Sequence, residues 1–576
     1  MQHPIGEHAL LADSRTAALI DPDGCVAWLC WPWIDSTPLL FSILDEERGG
    51  GLTVRPSHGS ARVVSRRYHH RSLVLETVWE VEGARLIVDD ALALGTRPLL
   101  VRRLRAEGED VGVDIDFRAP RWEDVAARVH TSGRALEVGG PASVVVAAPA
   151  SWMPRTSGAG SSFVVRPGEP AVVTLGSSAR DQHTADLETT LGSWRANVPT
   201  EDGFDIELSG STAGEAMVRE LLATSAAVLL GLRNSRGGIV AAPTTSLPQW
   251  PASSRTWDYR YCWLRDSALA GLAMLRLGLV DAARELGGFI GNVVTERGPV
   301  PLVRVDGTPP PEEVRRDDLA GYRGARPVRI GNAAAGQAQL DVPGEVIELA
   351  VALHAIDAMP DELRPAVVIL ADWLTDNWRE PDNGIWEIRG GRHRYTHSLV
   401  TALSGLNGAA TLAFSGAVAG DMDAWRRVAA GIGSELGAGD AALYLRLDGG
   451  GADAALAQVP LLAGLESIRS RAGPTLDLIL ERLDRDGLID RYEGRPDTLD
   501  EPCAPFVFPT FWLSAALAAV GRDGSRWFDG ALATRGPLGL FGEVADPANH
   551  TPLGNYPQVQ SHASFALAVP RLRSRQ

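Results

Sequence analysis

The chain has 576 residues, of which 45% are hydrophobic and 22% charged, a composition typical of a globular protein with more than one core. The 55 Lys and Arg residues against 72 Asp and Glu residues give a formal net charge of −17. Since no basic block interrupts this acidity, we expect neither nucleic acid nor a membrane surface as a partner.

The N-terminal part of the chain has the pattern of short strands. Its first residues, MQHPIGEHALLADSRTAALID, lack the basic region and continuous apolar stretch of a secretory signal, so we expect a cytoplasmic protein. From about residue 50 to 180, apolar residues alternate with polar ones in short runs broken by Gly and Pro, most clearly in VGVDIDF, residues 111–117. Many short strands with turns between them predict an antiparallel sandwich, to which we assign residues 1–195.

The second part of the chain has the pattern of helices. Residues 196–215 are interpreted as a linker, in which Thr212 and Glu215 form a possible capping box for the first helix. Further helices are predicted at 266–278, 281–295, 344–357, 362–378, 397–417, 422–436, 453–470, 474–485 and 510–521. Long loops separate them, notably residues 296–332, and such loops are usually functional. We therefore expect a barrel of paired helices over residues 216–576.

Motifs for several other chemistries are missing from the sequence. There is no P-loop and no Gly-x-Gly-x-x-Gly between a strand and a helix, so nucleotide chemistry is not expected. No run of about 18 apolar residues could span a membrane. The four cysteines (Cys25, Cys30, Cys262 and Cys503) form no C-x-x-C pair, so no disulfide framework, metal or redox cofactor is predicted.

Tryptophan is unusually abundant, with 16 residues against 12 Phe and 8 Tyr. Several Trp residues stand beside charged residues in loops, as in WDYRYCWLRD (257–266) and GIWEIRG (384–390). Aromatic faces stack on the C–H face of a sugar, while carboxylates and guanidinium groups bind its vicinal hydroxyls. Taken singly, each segment favours core packing and helix capping, so the prediction of a sugar site depends on their combination.

Five successive segments resemble signatures of glycoside hydrolase family 15, which includes glucoamylases, glucodextranases and bacterial trehalases. They are WDYRYCWLRDSALA, RIGNAAAGQAQLDVPGEV, DNGIWEIRGGRHRYTHSLV, FPTFWLSAALAAVGR and LFGEVADPANHTPLGNYPQVQSH. The N-terminal IGEHALLADSRTAALIDPDGCVAWLCWP is similar to the opening of the β-domain in the bacterial branch. The resemblance implies an N-terminal super-β-sandwich, a helical linker and an (α/α)6 barrel, with an interface in which Trp31 and Trp33 pack rather than bind sugar.

The resemblance also implies two catalytic carboxylates. Glu387, which follows Trp386, matches the family's general acid, and Glu543 in LFGEVAD matches its general base. Such a pair hydrolyses a glycosidic bond with inversion, because one group protonates the leaving oxygen while the other activates water on the opposite face of the sugar. Trp386 would supply both a wall for the acid and a stacking surface.

The sugar-binding residues follow from the same comparison. Arg265 and Asp266 match a pair that grips the hydroxyls of the terminal glucose, and Tyr259 and Trp263 match aromatic residues of the same subsite. Arg491 in IDRYEG matches an arginine that holds sugar hydroxyls.

Some positions depart from the family pattern. Cys503 aligns with a usual Glu, for which Glu501 could substitute through a shift. Pro343 replaces an aromatic residue, and His397 and Leu399 replace Tyr and Lys. LFGEV also lacks the usual Tyr and the second acidic or amide residue, although position 543 keeps its carboxylate. We interpret His397 as a structural residue.

The expected function is exo-acting, inverting hydrolysis of a small α-glucoside, with glucose released from its non-reducing end. The substrate is a malto- or isomalto-oligosaccharide or trehalose, and the sequence leaves that choice open. A hydrolase that tailors an unusual glycoside and a catalytically silent glycan-binding protein are the alternatives. Oligomeric state is not predicted.

Overall fold

The computed structural model describes residues 2–95, 97–122, 125–140, 142–178, 187–208, 210–439, 441–497, 499, 501–569 and 573–574. Strands dominate up to Gly176 and α-helices dominate from Leu187 onwards. This order confirms the predicted fold class, a β-sandwich followed by a helical barrel.

Two eight-stranded antiparallel sheets form the N-terminal half. In chain order the strands are β1 (Ala9–Ala12), β2 (Ala17–Ile20), β3 (Cys25–Cys30), β4 (Pro38–Leu40), β5 (Gly51–Pro56), β6 (Arg62–Tyr68), β7 (Leu75–Val81), β8 (Ala84–Leu92), β9 (Leu100–Glu107), β10 (Val111–Arg118), β11 (Arg121–Trp122), β12 (Val125–Ala126), β13 (Arg128–Ser132), β14 (Ala135–Gly139), β15 (Val144–Ala147), β16 (Met153–Arg155), β17 (Gly158–Val165) and β18 (Ala171–Gly176). One sheet has the order β1-β2-β3-β5-β10-β17-β16, with β4 paired to β3, and the other has the order β13-β14-β15-β18-β9-β8-β7-β6. The pair β11 and β12 forms a separate short ribbon.

Alternation of apolar and polar residues directs one face of each strand into the sandwich. In β10, Val111, Val113, Ile115 and Phe117 are buried, whereas the residues between them are half-buried. They belong to a core cluster formed almost entirely by the two sheets. The alternation predicted for this segment therefore matches the burial of every second side chain in the strand.

The helical half consists of paired helices. The helices are α1 (Leu187–Asn197), α2 (Glu215–Leu232), α3 (Leu264–Arg276), α4 (Val280–Arg297), α5 (Asp341–His354), α6 (Leu363–Asn377), α7 (Thr396–Phe414), α8 (Met422–Gly437), α9 (Ala472–Leu483), α10 (Val507–Ala519), α11 (Ser525–Ala533) and α12 (Val559–Ala568). An inner ring runs from α3 through α5 and α7 to α10 and α12, and α12 packs on α3. Within the described ranges, no helix combines the length and apolar character needed to cross a membrane.

One predicted helix, at residues 453–470, is wrong. The structure has two 3-10 turns there, Ala454–Gln458 and Glu466–Arg471. Pro460 cannot donate a backbone hydrogen bond, and Gly464 adopts a φ of +69°, so the helix cannot continue between the turns. The first turn lies between α7 and α10 and thus occupies a place in the inner ring.

The predicted capping box before α2 is also wrong. Gly214 is the N-cap residue and makes no side-chain capping bond. Thr212 instead donates from its backbone N–H and its hydroxyl to Asp529 in α11. A long-range tertiary contact has replaced the local one. Helices α1, α11 and α12 were not among the predicted segments, and α1 begins within the residues assigned to the sandwich.

Short paired strands stiffen the loops of the helical half. They join Phe204–Asp205 to Arg573–Ser574, Cys262–Trp263 to Leu302–Val303, Val314–Arg316 to Val328–Ile330, Asp484–Arg485 to Leu488–Ile489, and Val544–Ala545 to Pro552–Leu553. The long predicted loop at 296–332 therefore carries a hairpin, Val314–Arg316 with Val328–Ile330.

The two halves share an interface next to the segment 257–266. The Trp28 indole donates to the carbonyl of Pro243 at 2.8 Å, and Arg260 donates to the carbonyl of Ser36 at 2.7 Å. Trp33 packs under the guanidinium of Arg236, as expected of an interface residue. Trp31, in contrast, is buried in the core of the sandwich.

Helices α5 and α7 cross at two glycines. A Cβ added at Gly344 would lie 2.2 Å from the Thr401 carbonyl oxygen, and one at Gly405 would lie 2.7 Å from the Cα of Gly344. We expect Gly344→Ala to lower the free energy of unfolding by about 1–3 kcal/mol or more, because the helices must separate. Gly473→Ala in α9 is the control, since a Cβ there meets nothing within 4 Å. Equal melting temperatures of the two variants would contradict the prediction.

Candidate active site

Loops that precede the inner helices enclose a cavity of about 230 Å³. Its walls come from the starts of α3, α10 and α12 and from the loops around residues 249–259, 329–332, 385–389 and 491–499. The eight residues predicted for a sugar site all line it: Tyr259, Trp263, Arg265, Asp266, Trp386, Glu387, Arg491 and Glu543. Residues more than 280 positions apart in the sequence are thus brought together.

Glu387 lies in the loop between α6 and α7. Its Oε1 accepts hydrogen bonds from the Trp263 indole at 2.5 Å and from Arg265 at 3.2 Å, with Gln339 at 3.4 Å. Within the described part of the chain, Oε2 accepts no hydrogen bond. Its φ is +57°, a left-handed conformation that is uncommon outside glycine and asparagine. The backbone therefore turns sharply at this residue, and the side chain remains 21% exposed.

Glu543 lies between α11 and α12, near the C-terminal end of the chain, and is fully buried. Its Oε1 accepts hydrogen bonds from the Tyr259 hydroxyl at 2.6 Å and from the Gln249 amide at 2.7 Å. Its Oε2 is buried against Gly554 and has no hydrogen-bond partner in the part of the chain that the structure describes. Burial raises the pKa of Glu543 to about 6, although the Tyr259 and Gln249 hydrogen bonds offset part of this effect.

Two aromatic residues connect the carboxylates. The ring of Tyr259, which holds Glu543, packs edge-on against Trp263, which holds Glu387, with centroids 5.5 Å apart. Both rings come from one short stretch of sequence, and Trp263 is the N-cap residue of α3. The start of this helix thus sets the positions of both acids.

Arg265 and Asp266 form a buried charge cluster in the first turn of α3. Arg265 donates to Asp266 at 3.3 Å, to Asp341 at 3.0 Å and to Glu387. Burial alone would lower the pKa of Arg265, but the three carboxylates raise it, so it stays charged. Burial raises the pKa of Asp266 to about 6, against the opposing effect of Arg265. Both residues line the cavity, and a guanidinium and a carboxylate can bind vicinal hydroxyls.

Trp386 forms part of an aromatic wall. Its indole donates to Asp453 at 2.8 Å, and its ring packs on Phe506 and Phe508 with centroids 5.6 and 5.8 Å away. The indole is half-buried, so part of its surface is open to the cavity. A ring held from behind in this way can stack on a sugar without reorganising.

Arg491 lies on the same side as the aromatic wall. It donates to Asp497 at 2.7 Å, and Asp497 also accepts hydrogen bonds from Arg255 and from the Tyr492 hydroxyl. The Nε of Arg491 is buried and, among the residues that the structure describes, has no hydrogen-bond partner. Arg491 and Arg255 therefore share the Asp497 carboxylate, and both residues line the cavity.

The departures from the family pattern lie behind the cavity. Glu501 accepts two hydrogen bonds from Ser254, both at 2.7 Å, and does not line the cavity, so it does not take the place of the usual Glu. Cys503 contacts the Gln249 amide oxygen at 3.6 Å. His397 is fully buried; its Nε2 lies 2.8 Å from the Gln458 amide oxygen, and its Nδ1 has no hydrogen-bond partner among the described residues. Pro343 and Leu399 are buried in α5 and α7.

Several cavity residues were not singled out from the sequence. They are Gln249, Arg255, Trp257, Arg329, Asn332, Arg389, Asp497, Phe506, Phe508, Gln558 and Gln560. Asp341, which anchors Arg265, was also missed, although it stands in the quoted segment QLDVPGEV. The clustering of Trp and Arg in 255–263 and 386–389 was the available signal for three of them.

A group with metal-ligand geometry lies elsewhere. Among the described residues, His69, Glu76 and Asp89 place potential ligand atoms within 4.8 Å of one another in the sandwich. Asp89 is already paired with His69 at 2.8 Å and with Arg103 at 3.0 Å. The neighbouring arginine charge disfavours a cation, and the group does not line the cavity.

Comparisons with known proteins agree with the arrangement over the whole chain. The family model "Glycosyl hydrolases family 15" matches residues 216–534, and the model "Trehalase-like, N-terminal" matches residues 1–186. A trehalase of Mycobacterium tuberculosis is 31% identical and covers 98% of this chain and 89% of its own length. Trehalase 1 of Sulfolobus acidocaldarius is 29% identical and covers 99% of this chain and 98% of its own length.

The fold also matches that of a solved enzyme. The structure of a bacterial glucoamylase complexed with acarbose superposes with a TM-score of 0.68 at 14% identity, covering 98% of this chain and 94% of that one. This likeness shows the (α/α)6-barrel fold with its N-terminal sandwich. Together with the family model over more than half of the chain, these findings show that the protein is a glycoside hydrolase that belongs to family 15.

Proposed function

We propose that the protein is an α,α-trehalase that hydrolyses its substrate with inversion at one anomeric carbon. The observation that carries the proposal is the similarity to proteins named trehalase along nearly the full length of both chains, in both halves. The cavity supports it, because a volume of about 230 Å³ suits a small glucoside.

Glu543 is the general base in this mechanism. Its unpartnered Oε2 is the atom available to accept a proton from water, since Tyr259 and Gln249 occupy Oε1. The water attacks the anomeric carbon as Glu543 takes its proton. The two donors on Oε1 keep the carboxylate oriented throughout.

Glu387 is the general acid. Its Oε2 carries the proton that passes to the glycosidic oxygen, which departs as the hydroxyl of the second glucose. Trp263, Arg265 and Gln339 hold Oε1 and so direct Oε2. The reaction consumes one water and yields one β-glucose and one α-glucose.

The terminal glucose is held by charged and aromatic groups. Arg265 and Asp266 bind its hydroxyls, Tyr259 and Trp263 enclose it, Trp386 stacks on it and Arg491 donates to a further hydroxyl. Hydrogen bonds to charged groups of this kind contribute about 1.5–3 kcal/mol each.

The proposal is tested by glucose release from trehalose, maltose, isomaltose and a nitrophenyl α-glucoside. We expect trehalose to have the highest kcat/KM. Early proton NMR spectra of the trehalose reaction should show α- and β-glucose in equal amounts, and ¹⁸O from labelled water should appear in the β-anomer. Initial release of α-glucose alone would contradict inversion. Preference for maltose or isomaltose would favour a glucoamylase-like enzyme, and binding without release of glucose would favour a glycan-binding protein.

Activity should fall below a pH of about 6. The base works only when deprotonated, and burial places the pKa of Glu543 at about 6, so kcat/KM should drop tenfold per pH unit below that value. The Tyr259 hydrogen bond lowers this pKa, so Tyr259→Phe should shift the acid limb to higher pH. Tyr261→Phe, outside the cavity, is the matched control. An unshifted limb in Tyr259→Phe would show that Glu543 does not govern it.

A further inference from the structure

One wall of the cavity plays no part in the reaction as described. It consists of Trp257 with two guanidinium groups against its ring: Arg329 at 4.4 Å and Arg389 at 4.2 Å from the ring centroid. All three residues line the cavity. Because cations occupy the indole surface, this wall offers hydrogen-bond donors to a ligand rather than a bare aromatic face.

The two arginines share a single carboxylate. Arg389 donates to both oxygens of Glu313, at 2.9 and 2.7 Å, and the Nε of Arg329 lies 3.3 Å from one of them. Burial opposes ionisation of Glu313, yet the Arg389 hydrogen bonds hold its pKa below the usual value. The group therefore keeps one surplus positive charge beside the cavity.

Both arginines also keep unused donors. The Nη1 of Arg329 donates to Ser254 and Thr256, but in the described ranges no acceptor bonds to its Nη2 or to the Nε of Arg389. A guanidinium has five N–H donors, and a pair of them matches two neighbouring hydroxyls.

Exposure locates these donors at the cavity mouth. The Arg265 side chain is 7% exposed and that of Arg329 is 10%, whereas that of Arg389 is 37%. An exo-acting hydrolase holds the terminal sugar at the closed end, so its leaving group lies towards the mouth. Arg389 also follows Glu387 by two residues, which puts it on the side of the acid and hence of the leaving oxygen.

We propose that Arg389 and Arg329, packed on Trp257, form the leaving-group subsite and select leaving groups with neighbouring hydroxyls, such as a second sugar, over apolar ones. The inference rests on the proposed function for the position of the bond that is cleaved. Arg389 and Arg329 are specificity residues and take no part in proton transfer.

The sandwich half supports this subsite through the loop that carries Glu313. Asp45 accepts a hydrogen bond from the Ala320 N–H at 3.0 Å, and Arg48 donates to the Asp318 carbonyl at 2.9 Å. The hairpin of 314–316 and 328–330 lies between Glu313 and these contacts. The β-domain thus fixes the position of Glu313, and through it the two guanidinium groups.

The test measures kcat/KM of the Arg389→Met variant on two substrates. Methionine keeps the approximate length of arginine but has no hydrogen-bond donor. The leaving group of trehalose is a sugar with several hydroxyls, whereas the leaving group of α-glucosyl fluoride is a fluoride ion without hydroxyls. We expect kcat/KM for trehalose to fall about 10- to 150-fold, as for the loss of hydrogen bonds to a charged group, and kcat/KM for the fluoride to change less than about twofold. A nitrophenyl α-glucoside should be affected less than trehalose. Arg392→Met, an exposed arginine of the same loop outside the cavity, is the control.

A second variant separates specificity from folding. Glu313→Gln keeps the shape of the carboxylate but loses its charge, so the arginines should shift and KM for trehalose should change while the fluoride rate is kept. If Arg389→Met slows both substrates by the same factor, the inference is wrong. If the wild-type enzyme cleaves another disaccharide and not trehalose, the proposed function is wrong, and the same comparison with that disaccharide decides the inference. Cleavage of the fluoride alone, or of none of these glucosides, would overturn both.

Discussion

Glu543→Gln should lower kcat by about 10²- to 10⁴-fold on every substrate, the usual contribution of a general base. Water must be activated whatever group departs, so α-glucosyl fluoride should be affected as much as trehalose. Glutamine keeps the acceptor for Tyr259 and Gln249, and the fold should therefore persist. In Glu543→Ala, added azide should restore turnover of the fluoride, because it attacks without deprotonation and gives β-glucosyl azide.

Glu387→Gln should give the complementary result. We expect a loss of about 10²- to 10⁴-fold on trehalose, whose leaving oxygen needs a proton, and a much smaller loss on the fluoride. Glu501→Gln is the matched control, since this carboxylate binds Ser254 outside the cavity. Equal losses on both substrates would remove the acid role from Glu387, and an active Glu543→Gln variant would remove the base role from Glu543.

Asp266→Asn should lower kcat/KM for trehalose by about 10- to 150-fold with little change in melting temperature, because Arg265 keeps Asp341 and Glu387 as charged partners. Asparagine keeps the shape of the side chain, so the loss is that of hydrogen bonds between a charged group and sugar hydroxyls, about 1.5–3 kcal/mol. Arg265→Ala should lower kcat/KM for trehalose by a larger factor, because it leaves the buried carboxylates of Asp341 and Asp266 without their cation.

Stability measurements separate the two effects. Removing one partner of a buried ion pair destabilises a protein by about 3–5 kcal/mol, so Arg265→Ala should melt earlier as well as lose activity. Circular dichroism and thermal melting run beside the kinetics distinguish the variants. Wild-type activity in a folded Asp266→Asn protein would show that this carboxylate does not bind the substrate.

The fold was predictable where the burial pattern has a simple period. Strand β10 and helix α8 follow from alternation and from an amphipathic face, and the boundaries predicted for α8 differ by one residue from those observed. The periodic pattern gave a wrong prediction at 453–470. The apolar residues there form 3-10 turns, the first of which takes the place of an inner-ring helix. The pattern also missed α12, which is buried on nearly all sides and therefore has no polar face to set a period.

The candidate site was predictable from resemblance and only in part from residue chemistry. All eight residues chosen line one cavity, but the partners that hold them could not be found from the sequence alone. Gln249, which orients Glu543, lies 294 positions away, and Asp341 lies 76 positions from the Arg265 it anchors. Contacts at such separations arise only when the inner ring closes.

The left-handed backbone at Glu387 sets folding stability against the acid role proposed for this residue. A side chain with a Cβ in this conformation costs of order 1–3 kcal/mol, which glycine would not incur. With Glu387 as the proposed acid, selection for stability and selection for turnover act in opposite directions at this position. An aspartate would suit the backbone better, yet it is one methylene shorter and would withdraw the carboxyl group from the bond to be cleaved. A ranking of substitutions by folding energy alone will thus favour replacing the residue proposed as the general acid.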